Sequence, residues 1–467
     1  MTSINYYGGI IMSEHRQKAL AYAQEHNPQA LDKMKQIISI PSVSTDPERA
    51  GDIKKAAEWL KAELTALDMD RVEIFPTPRH PIVYAEDLSA GKDKSTVLIY
   101  GHYDVQPEDP VDEWDSDPFI PTEKGENLYA RGATDMKGQI IACFSAIDAI
   151  RQTGDLPVNV KFLIEGEEEI GGSYIETFIK ENQDLLACDF FLNPDTGMQA
   201  PDMPTVTYAL RGIAYFELRV QGPKQDMHSG SFGGAIHNPA QVMADLLAGL
   251  HDKKGRVTLP GFYDRVKPLD DDEREELSKL PIGDEFYLEQ GGVKALFGEE
   301  GFTAVERTGA RPTLEINGLY SGFIGEGQKT VLPAYAMAKV SCRLVADQDP
   351  VEVYEQFKTY LIENAPDTVT WELTQMSKDF PSLSDRKSKW IDAYVQAAEK
   401  TWGKRPIFKR EGGSVPVVVH IQQTLGVDSV NIGFGLPSDN MHGPNEKIHL
   451  PTFYKGIEAL VHFFFNL

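Results

Sequence analysis

Apolar runs of strand length alternate with helical patterns in the first half of the chain, and this alternation limits the fold more than any other feature. Buried strands are predicted at 96–100, 158–164 and 190–192, and a helix is predicted at 139–150. Strands and helices in alternation are typical of an α/β sheet. Because ligands of such sheets gather beyond the carboxyl ends of the strands, polar residues that directly follow these strands are the first candidates for a functional site.

Histidine and acidic residues follow each of these strands. A histidine and an aspartate come two positions apart after the first strand, so their side chains can point the same way from an extended segment. Two glutamates follow the second strand and an aspartate follows the third. Another aspartate precedes the helix, and a second histidine lies in a late polar loop that has no structural need for one. These residues are His102, Asp104, Glu168, Glu169, Asp195, Asp135 and His442.

Each of these residues alone has an ordinary explanation as a surface or core side chain. The run of three glutamates at 167–169 is, by itself, typical of a solvated surface. It follows a buried strand and precedes two glycines, however, which is an unusual position for residues that serve only solubility. The hypothesis of a site therefore depends on the convergence of several segments.

Five of the candidates form a donor set suited to a pair of metal ions. Two imidazoles and three carboxylates favour two zinc ions, with manganese or cobalt as alternatives. One carboxylate must bridge if five residues are to hold two ions and leave room for water. Two ions in such a site activate water and polarise the bond that is cleaved. The five residues are His102, Asp135, Glu169, Asp195 and His442.

The two remaining acidic candidates are left for other roles. Glu168, beside a predicted ligand, is the expected general base, which takes a proton from the water and passes it to the leaving amine. Asp104 is expected to bond the far nitrogen of His102 and so hold the orientation of its ring. The predicted chemistry is therefore metal-assisted hydrolysis.

From about Arg211 onward, the sequence pattern no longer alternates between buried strands and helices as in the first half. Residues 214–220 alternate like a half-exposed strand, 238–250 read as an amphipathic helix, and 251–310 are rich in loops and acidic residues. α/β texture returns near 380. The prediction is an α/β domain in two parts, 1–208 and 380–467, with an α+β domain inserted at 209–379.

Composition argues against several other classes of protein. The formal charge of −25 disfavours nucleic acid or an anionic membrane as a partner, since both attract basic surfaces. No apolar run approaches the roughly 18 residues of a membrane span, and no secretory leader is expected. Three scattered cysteines indicate no disulfide framework and fit a reducing cytoplasm. The first eleven residues are predicted to be a dispensable extension, because Met12 looks an equally good start.

Six segments taken together resemble a known family. They are 101–107 (GHYDVQP), 131–138 (RGATDMKG), 167–172 (EEEIGG), 195–196 (DT), 228–230 (HSG) and 442–446 (HGPNE). The chain is similar to the di-metal aminopeptidase-like family of carnosinases, bacterial dipeptidases, aminoacylases, acetylornithine deacetylase and succinyl-diaminopimelate desuccinylase. Within that family it most resembles the carnosinase-like dipeptidases, through 106–107, 228–234 and 410–414.

The resemblance implies how the five donors divide between the metals. His102 and Asp195 would bind one ion. Glu169 and His442 would bind the other, and Asp135 would bridge the two. Two zinc ions per subunit are therefore expected.

The resemblance also implies roles outside the metal set. Glu168 would be the base and Asp104 the orienting carboxylate. His228, in the inserted domain, would stabilise the tetrahedral oxyanion, and in dimeric relatives the corresponding residue reaches across from the partner subunit. The resemblance further implies that the α/β domain is a mixed-sheet catalytic domain. The inserted α+β domain would act as a lid and as the surface of a homodimer.

A further group of residues would hold the free carboxylate of the substrate. Arg343 and Thr330 lie in segments that resemble the relatives' contacts to that carboxylate. An arginine suits this task because its planar fork matches both carboxylate oxygens. The backbone amides of Gly413 and Ser414 would add donors.

The sequence thus predicts a cytoplasmic di-zinc dipeptidase that cleaves small unblocked peptides. The alternative is an N-acyl amino acid amidohydrolase, in which the same metals and base would cut an acyl amide. A non-catalytic binding protein on the same scaffold is disfavoured, because every proposed ligand and the base are present.

Overall fold

The computed structural model describes residues 2–172, 174–413 and 415–467. In chain order its helices are α1 (Thr2–Glu25), α2 (Asn27–Ile38), α3 (Ala50–Ala66), α4 (Gly138–Arg151), α5 (Tyr174–Glu181), α6 (Gln183–Leu186), α7 (Ser229–Phe232), α8 (Pro239–Ala248), α9 (Asp271–Ser278), α10 (Asp284–Gly291), α11 (Ala304–Gly309), α12 (Pro350–Asn364), α13 (Lys389–Trp402), α14 (Pro416–Leu425) and α15 (Leu450–Phe464).

The strands, also in chain order, are β1 (Arg71–Phe75), β2 (Ile82–Asp87), β3 (Thr96–His102), β4 (Thr122–Lys124), β5 (Asn127–Tyr129), β6 (Asn159–Glu165), β7 (Phe190–Asn193), β8 (Thr205–Leu210), β9 (Gly212–Gln221), β10 (Met227–His228), β11 (Thr313–Ser321), β12 (Val331–Leu332), β13 (Tyr335–Leu344), β14 (Thr370–Asp379), β15 (Ser382–Leu383), β16 (Ile407–Glu411), β17 (Ser429–Asn431) and β18 (Lys447–His449).

The chain divides into two compact units. The first comprises Met1–Tyr208, Ser384–Phe408 and Val417–Leu467, and the second comprises Ala209–Leu383 and Lys409–Pro416. The second unit begins at the residue where the sequence predicts the inserted domain to begin. It extends four residues further, to Leu383 instead of 379, and it also takes in Lys409–Pro416, which the prediction placed in the catalytic domain.

The first unit is built on a mixed sheet with the strand order β1-β2-β6-β3-β7-β17-β8. Strand β3 pairs in parallel with β6 and β7, and β17 pairs in parallel with β7, whereas β1, β2 and β8 run antiparallel to their neighbours. β2, β3, β6 and β7 are almost entirely buried, which is the reason they read as continuous apolar runs. The carboxyl ends of the parallel strands meet at one edge of the sheet.

Helices cover the sheet of the first unit. α15 packs against α4 and α13, and α1 packs against α4 and α15. A small sheet of β18, β5 and β4 brings the end of the chain next to the segment that precedes α4, since β18 pairs with β5.

The second unit is an antiparallel sheet with the order β11-β13-β9-β14. Burial alternates along β9 and β13 because only one face of the sheet is covered. The helices α8 and α12 pack on β9 and its neighbours, and their core includes Phe216, Leu218, Met243 and Phe357. The predicted mixed-sheet α/β architecture with an inserted α+β unit is confirmed. Within the part of the chain that the structure describes, no helix combines the length and apolarity needed to cross a bilayer.

Candidate metal centre

His102 is the last residue of β3 and is completely buried. Gly101 allows this close packing, because a Cβ atom at that position would come within 2.8 Å of Ile140 in α4. The Nδ1 atom of His102 lies 3.1 Å from the carbonyl oxygen of Asp104 and donates to it, since a carbonyl oxygen can only accept. Nε2 is left for the carboxylate of Asp135, 3.0 Å away, or for a cation held between them.

The Asp104 carboxylate is buried beside this histidine but contacts a different group. Its Oδ2 accepts the backbone N–H of Glu169 at 3.1 Å. Its Oδ1 lies 3.5 Å from His102 Nδ1, beyond the hydrogen-bonding range of about 2.7–3.2 Å, and has no hydrogen-bond partner among the described residues. In this structure the backbone carbonyl of residue 104 holds the ring, and the orienting role of the Asp104 side chain stays a prediction.

Asp135 lies in the irregular turn Ala133–Lys137 that precedes α4, where its φ of −123° and ψ of 101° are not helical. Its two carboxylate oxygens face different histidines. Oδ1 lies 3.0 Å from Nε2 of His102, and Oδ2 lies 2.8 Å from Nε2 of His442. A carboxylate that presents one oxygen to each of two imidazoles has the arrangement required of a bridging ligand.

The three consecutive glutamates after β6 have separate environments. Glu167 is 3% exposed and accepts the backbone N–H of His80 at 2.9 Å, so it anchors a neighbouring loop, and it belongs to none of the donor groups among the described residues. Glu168 and Glu169 form a short turn that ends at Gly171, whose φ of +60° is left-handed. Both glutamates lie in one donor group with His102, with ligand atoms within 4.8 Å of one another.

Asp195 and His442 complete the set from two different loops. Asp195 follows β7, and its backbone N–H donates to the side chain of Asn193 at 3.2 Å. His442 has a φ of +62° in the loop between β17 and β18. A left-handed histidine is uncommon and occurs where the surroundings fix it. The structure thus brings all five predicted ligands together in the first unit.

The separations of the donor atoms fit bound metal. Two ligands about 2.0–2.2 Å from a tetrahedral zinc ion lie roughly 3.3–3.6 Å apart. Nε2 of His102 lies 3.8 Å from Asp195, and Nε2 of His442 lies 3.3 Å from Glu169, in addition to the two contacts with Asp135. The donors form two groups that share Asp135, namely His102–Asp135–Asp195 and Asp135–Glu169–His442.

Burial and crowding of like charges shift the pKa values of these groups. Burial, and then the charge of Asp135, raise the pKa of Glu169 and that of Asp195 to about 8 each. Burial also acts to raise the pKa of Asp135, but its hydrogen bonds to His102 and His442 outweigh burial and hold that pKa below its usual value. The hydrogen bond to Asp135 raises the pKa of His442 to about 9 against the effect of burial. Carboxylates crowded in this way are fully ionised only beside a cation, which is the environment a metal supplies.

Burial is also the largest cause of the raised pKa of Glu168, partly offset by the charge of His102. A raised pKa suits a general base, because proton transfer is most efficient when the pKa lies near the working pH. The geometry, with Glu168 beside the donors of both groups, is compatible with the role that the sequence predicts for it.

Two of the other predicted residues are neighbours in the second unit. His228 ends β10 with an exposed side chain, and its Nδ1 accepts the N–H of Gly230 at 3.0 Å. The backbone N–H of Ser229 donates to the carbonyl of Thr330 at 3.0 Å, next to the pairing of β10 with β12. His228 and Thr330 therefore lie on adjacent segments of one small ribbon.

Arg343 and Gly413 also belong to the second unit. Arg343 lies in β13, and its positive charge, after burial, lowers the pKa of Arg211 to about 10. The Nε atom of Arg211 donates to the carbonyl of Gly412 at 3.3 Å, directly before Gly413. The predicted carboxylate-binding segments of Arg343 and Gly413 thus both lie near Arg211, which is an additional basic residue beside them. Ser414 lies outside the described residues.

Comparison with known proteins identifies the family. The model of peptidase family M20/M25/M40 matches residues 98–466. The chain belongs to this family. It is 32% identical over 449 residues to the Cys-Gly metallodipeptidase dug1 of Schizosaccharomyces pombe, covering 91% of this chain and 93% of that protein. It is 31% identical over 476 residues to the Beta-Ala-His dipeptidase of Homo sapiens, covering 97% of this chain and 92% of that protein.

Solved structures of family members have the same fold. The M20 family metallo-carboxypeptidase Sso-CP2 from Sulfolobus solfataricus matches with a TM-score of 0.81 and 34% identity, over 93% of this chain and 98% of that one. Human carnosine dipeptidase 1 matches with a TM-score of 0.74 and 29% identity, over 97% of this chain and 98% of that one. The predicted resemblance to carnosinase-like metallopeptidases is confirmed.

Three residues that the sequence patterns leave without a role contact the candidate ligands closely. Gln106 donates from Nε2 to Oε2 of Glu169 at 2.7 Å. Arg131 and Glu446 form a buried ion pair between the loops of Asp135 and His442. All three lie in segments that carry the family resemblance, and that position is the signal that marks them.

Proposed function

We propose that the chain is a metal-dependent dipeptidase. The observation that carries this proposal is the pair of donor groups that share Asp135, together with a third group that joins Glu168 to one ligand of each, His102 and Glu169. The relatives named as a Cys-Gly metallodipeptidase and a Beta-Ala-His dipeptidase support substrates of two residues.

In the proposed centre, five ligands would hold two metal ions per chain, with zinc favoured and manganese or cobalt as alternatives. His102 and Asp195 would hold one ion, Glu169 and His442 would hold the other, and Asp135 would be a ligand of both. When bound, such ions lower the pKa of a water molecule and polarise the scissile carbonyl group.

The proton movements in the proposed reaction are assigned to Glu168. Its carboxylate takes a proton from the attacking water and later gives that proton to the leaving amine nitrogen. The glutamate ends the cycle ionised, so atoms and charge balance over one hydrolysis. The Asp104 carboxylate accepts a hydrogen bond from the backbone N–H of Glu169 and thereby helps to hold the turn that carries the base.

The second unit is proposed to bind the rest of the substrate. Arg343, Thr330 and the backbone amides of Gly413 and Ser414 would hold the free carboxylate of the peptide, and His228 would stabilise the oxyanion. We further propose that this unit acts as a lid and forms a homodimer, and that the protein works in the cytoplasm on small peptides and binds neither nucleic acid nor membrane.

A second candidate function is that of a metallo-carboxypeptidase. It is favoured by the similarity to Sso-CP2, at 34% identity and a TM-score of 0.81. The same metals, base and carboxylate-binding residues would serve, and only the length of substrate accepted on the amino side would differ. An N-acyl amino acid amidohydrolase has less support, because the relatives described above are named as peptidases.

A panel of substrates tests the proposal. The metal-loaded protein is assayed with Cys-Gly, β-Ala-His and Ala-Ala, with the same dipeptides carrying an amino-terminal acetyl group, with tripeptides, and with N-acetyl amino acids. Preferential hydrolysis of unblocked dipeptides is expected. Preference for blocked or longer peptides would favour the carboxypeptidase, and preference for N-acetyl amino acids would favour the amidohydrolase. Equal rates before and after complete removal of metal would contradict all three.

A further inference from the structure

A buried ion pair lies at the point where the loops of the metal centre meet. Nη1 of Arg131 lies 2.7 Å from Oε2 of Glu446, and each side chain is only 1% exposed. A buried ion pair is a poor source of stability, because the cost of removing both charges from water offsets most of their attraction. The remaining contacts of the two side chains indicate a different role.

Glu446 holds the backbone of the turn that carries Asp135. Its Oε2 accepts the N–H of Gly132 at 3.0 Å, and its Oε1 accepts those of Thr134 at 3.1 Å and of Asp135 itself at 3.2 Å. Three amides that converge on one carboxylate fix the path of the chain up to and including the shared ligand. Hydrogen bonds to a charged acceptor are about twice as strong as neutral ones.

Arg131 holds two other loops through the opposite end of its guanidinium group. Its Nη2 donates to the carbonyl of His442 at 3.2 Å and to that of Pro107 at 3.1 Å. The first contact fixes the backbone of a ligand whose φ is left-handed. The second holds the residue after Gln106, whose side chain donates to Glu169.

We infer that the Arg131–Glu446 pair is the positioning element of the metal centre, with a separate task for each partner. Glu446 sets the position of Asp135, which belongs to both donor groups. Arg131 sets the positions of His442 and, through residues 106–107, of Glu169, which belong to the second group alone. This inference rests on the proposed function, since it assigns both partners to a centre that binds two ions.

The division of tasks predicts different losses of metal in two variants. Arg131→Lys keeps a positive charge opposite Glu446 but cannot reach both the His442 and Pro107 carbonyls, so one of the two ions should bind more weakly. Glu446→Gln replaces two acceptor oxygens by one, which releases part of the Asp135 turn, so both ions should bind more weakly. Loss of a residue that orients metal ligands typically lowers affinity about 10- to 100-fold.

Asp87→Asn is the matched control. Asp87 is buried and pairs with Arg151, like Glu446 with Arg131. It lies at the far end of the sheet, because it pairs with Val160 near the start of β6 whereas the metal loops follow the end of that strand. The control therefore removes a buried carboxylate from its pairing with an arginine without touching the centre.

The experiment titrates each full-length protein, stripped of metal, with Co²⁺ and follows visible absorption and calorimetric stoichiometry. We expect two ions for the wild-type chain and for Asp87→Asn, one weakened ion for Arg131→Lys, and two weakened ions for Glu446→Gln. Urea unfolding of the stripped proteins reports stability separately.

Unchanged affinity for both ions in Arg131→Lys and Glu446→Gln would overturn the inference. So would losses of affinity that merely follow stability and occur equally in Asp87→Asn. Should Glu446→Gln fail to fold, Arg131→Lys alone decides, because it predicts weakening of one ion only. A wild-type chain that binds no ion would instead refute the metal centre of the proposed function.

Discussion

The surroundings of His462 predict how the free energy of unfolding depends on pH. The side chain lies in α15, is 9% exposed, and has an Nδ1 atom that is buried without a hydrogen-bond partner among the described residues. Burial, and then the charges of Arg16 and Lys400, lower the pKa of His462 to about 4, from an ordinary value of 6.5. Two cations beside a buried imidazole disfavour its protonation in the folded protein.

The direction of the pH effect follows from this depressed pKa. Above pH 6.5 the imidazole is neutral in both the folded and the unfolded chain, and its contribution to stability is fully present. As the pH falls from 6.5 toward 4, the unfolded chain binds a proton that the folded chain does not, so stability is lost. With these two pKa values, the loss is about 2 kcal/mol at pH 5 and approaches about 3 kcal/mol below pH 4.

The assay compares wild type with His462→Gln, which cannot titrate. Urea unfolding at pH 7.5 and at pH 5 gives the free energy of unfolding of each protein. Wild type should lose about 2 kcal/mol more than the variant between the two pH values. The same pH dependence of the free energy of unfolding in wild type and His462→Gln would refute the reasoning. A smaller loss of stability in wild type than in His462→Gln would mean that folding raises the pKa of His462 instead of lowering it.

Three further substitutions and one control variant test the catalytic, binding and packing arguments. Glu168→Gln should lower kcat by about 10²- to 10⁴-fold with metal content unchanged. The control Glu167→Gln, at the neighbouring residue that anchors the loop of His80, should retain activity. Steady-state kinetics and metal analysis of both variants check this, and loss of activity in Glu167→Gln alone would show that the base was assigned to the wrong glutamate. Arg211→Lys should raise KM for dipeptides about tenfold and spare kcat if this guanidinium supports the carboxylate-binding segment, since a lysine lacks the planar fork; an unchanged KM would contradict that role. Gly433→Ala should lower the free energy of unfolding by about 1–3 kcal/mol, because a Cβ there would overlap the carbonyl oxygen of Thr196. Urea unfolding measures this free energy, and a value equal to that of wild type would contradict the packing argument.

The long buried elements could be predicted from sequence because their pattern is local. The helix predicted at 139–150 is observed as Gly138–Arg151, and the strand predicted at 158–164 is observed as Asn159–Glu165. The region 251–310, expected to be rich in loops, contains three short helices. Two of them begin at side-chain caps, Asp270 and Thr303, and their polar sequences give no apolar periodicity to detect.

The ligands of the candidate site could be predicted from the sequence, but the residues that support them could not. The ligands follow strand ends, and that position can be read from the sequence. The contacts that support the ligands join distant parts of the sequence: Arg131 and Glu446 are hundreds of residues apart. The partners of Gln106, Arg131 and Glu446 are mostly backbone groups. Backbone partners leave no mark on the sequence, so these contacts could be found only from the structure.

The position of β17 in the sheet has a consequence for how the chain reaches its native state. This strand lies between β7 and β8 in the first unit, yet it follows the whole second unit in the sequence. During synthesis, β7 must therefore keep one edge unpaired until the second unit has been made. An unpaired apolar edge is a template for intermolecular pairing, and late closure of a sheet over a long chain separation is slow. Chaperone binding to nascent chains and the yield of refolding should both depend strongly on when residues 429–431 become available.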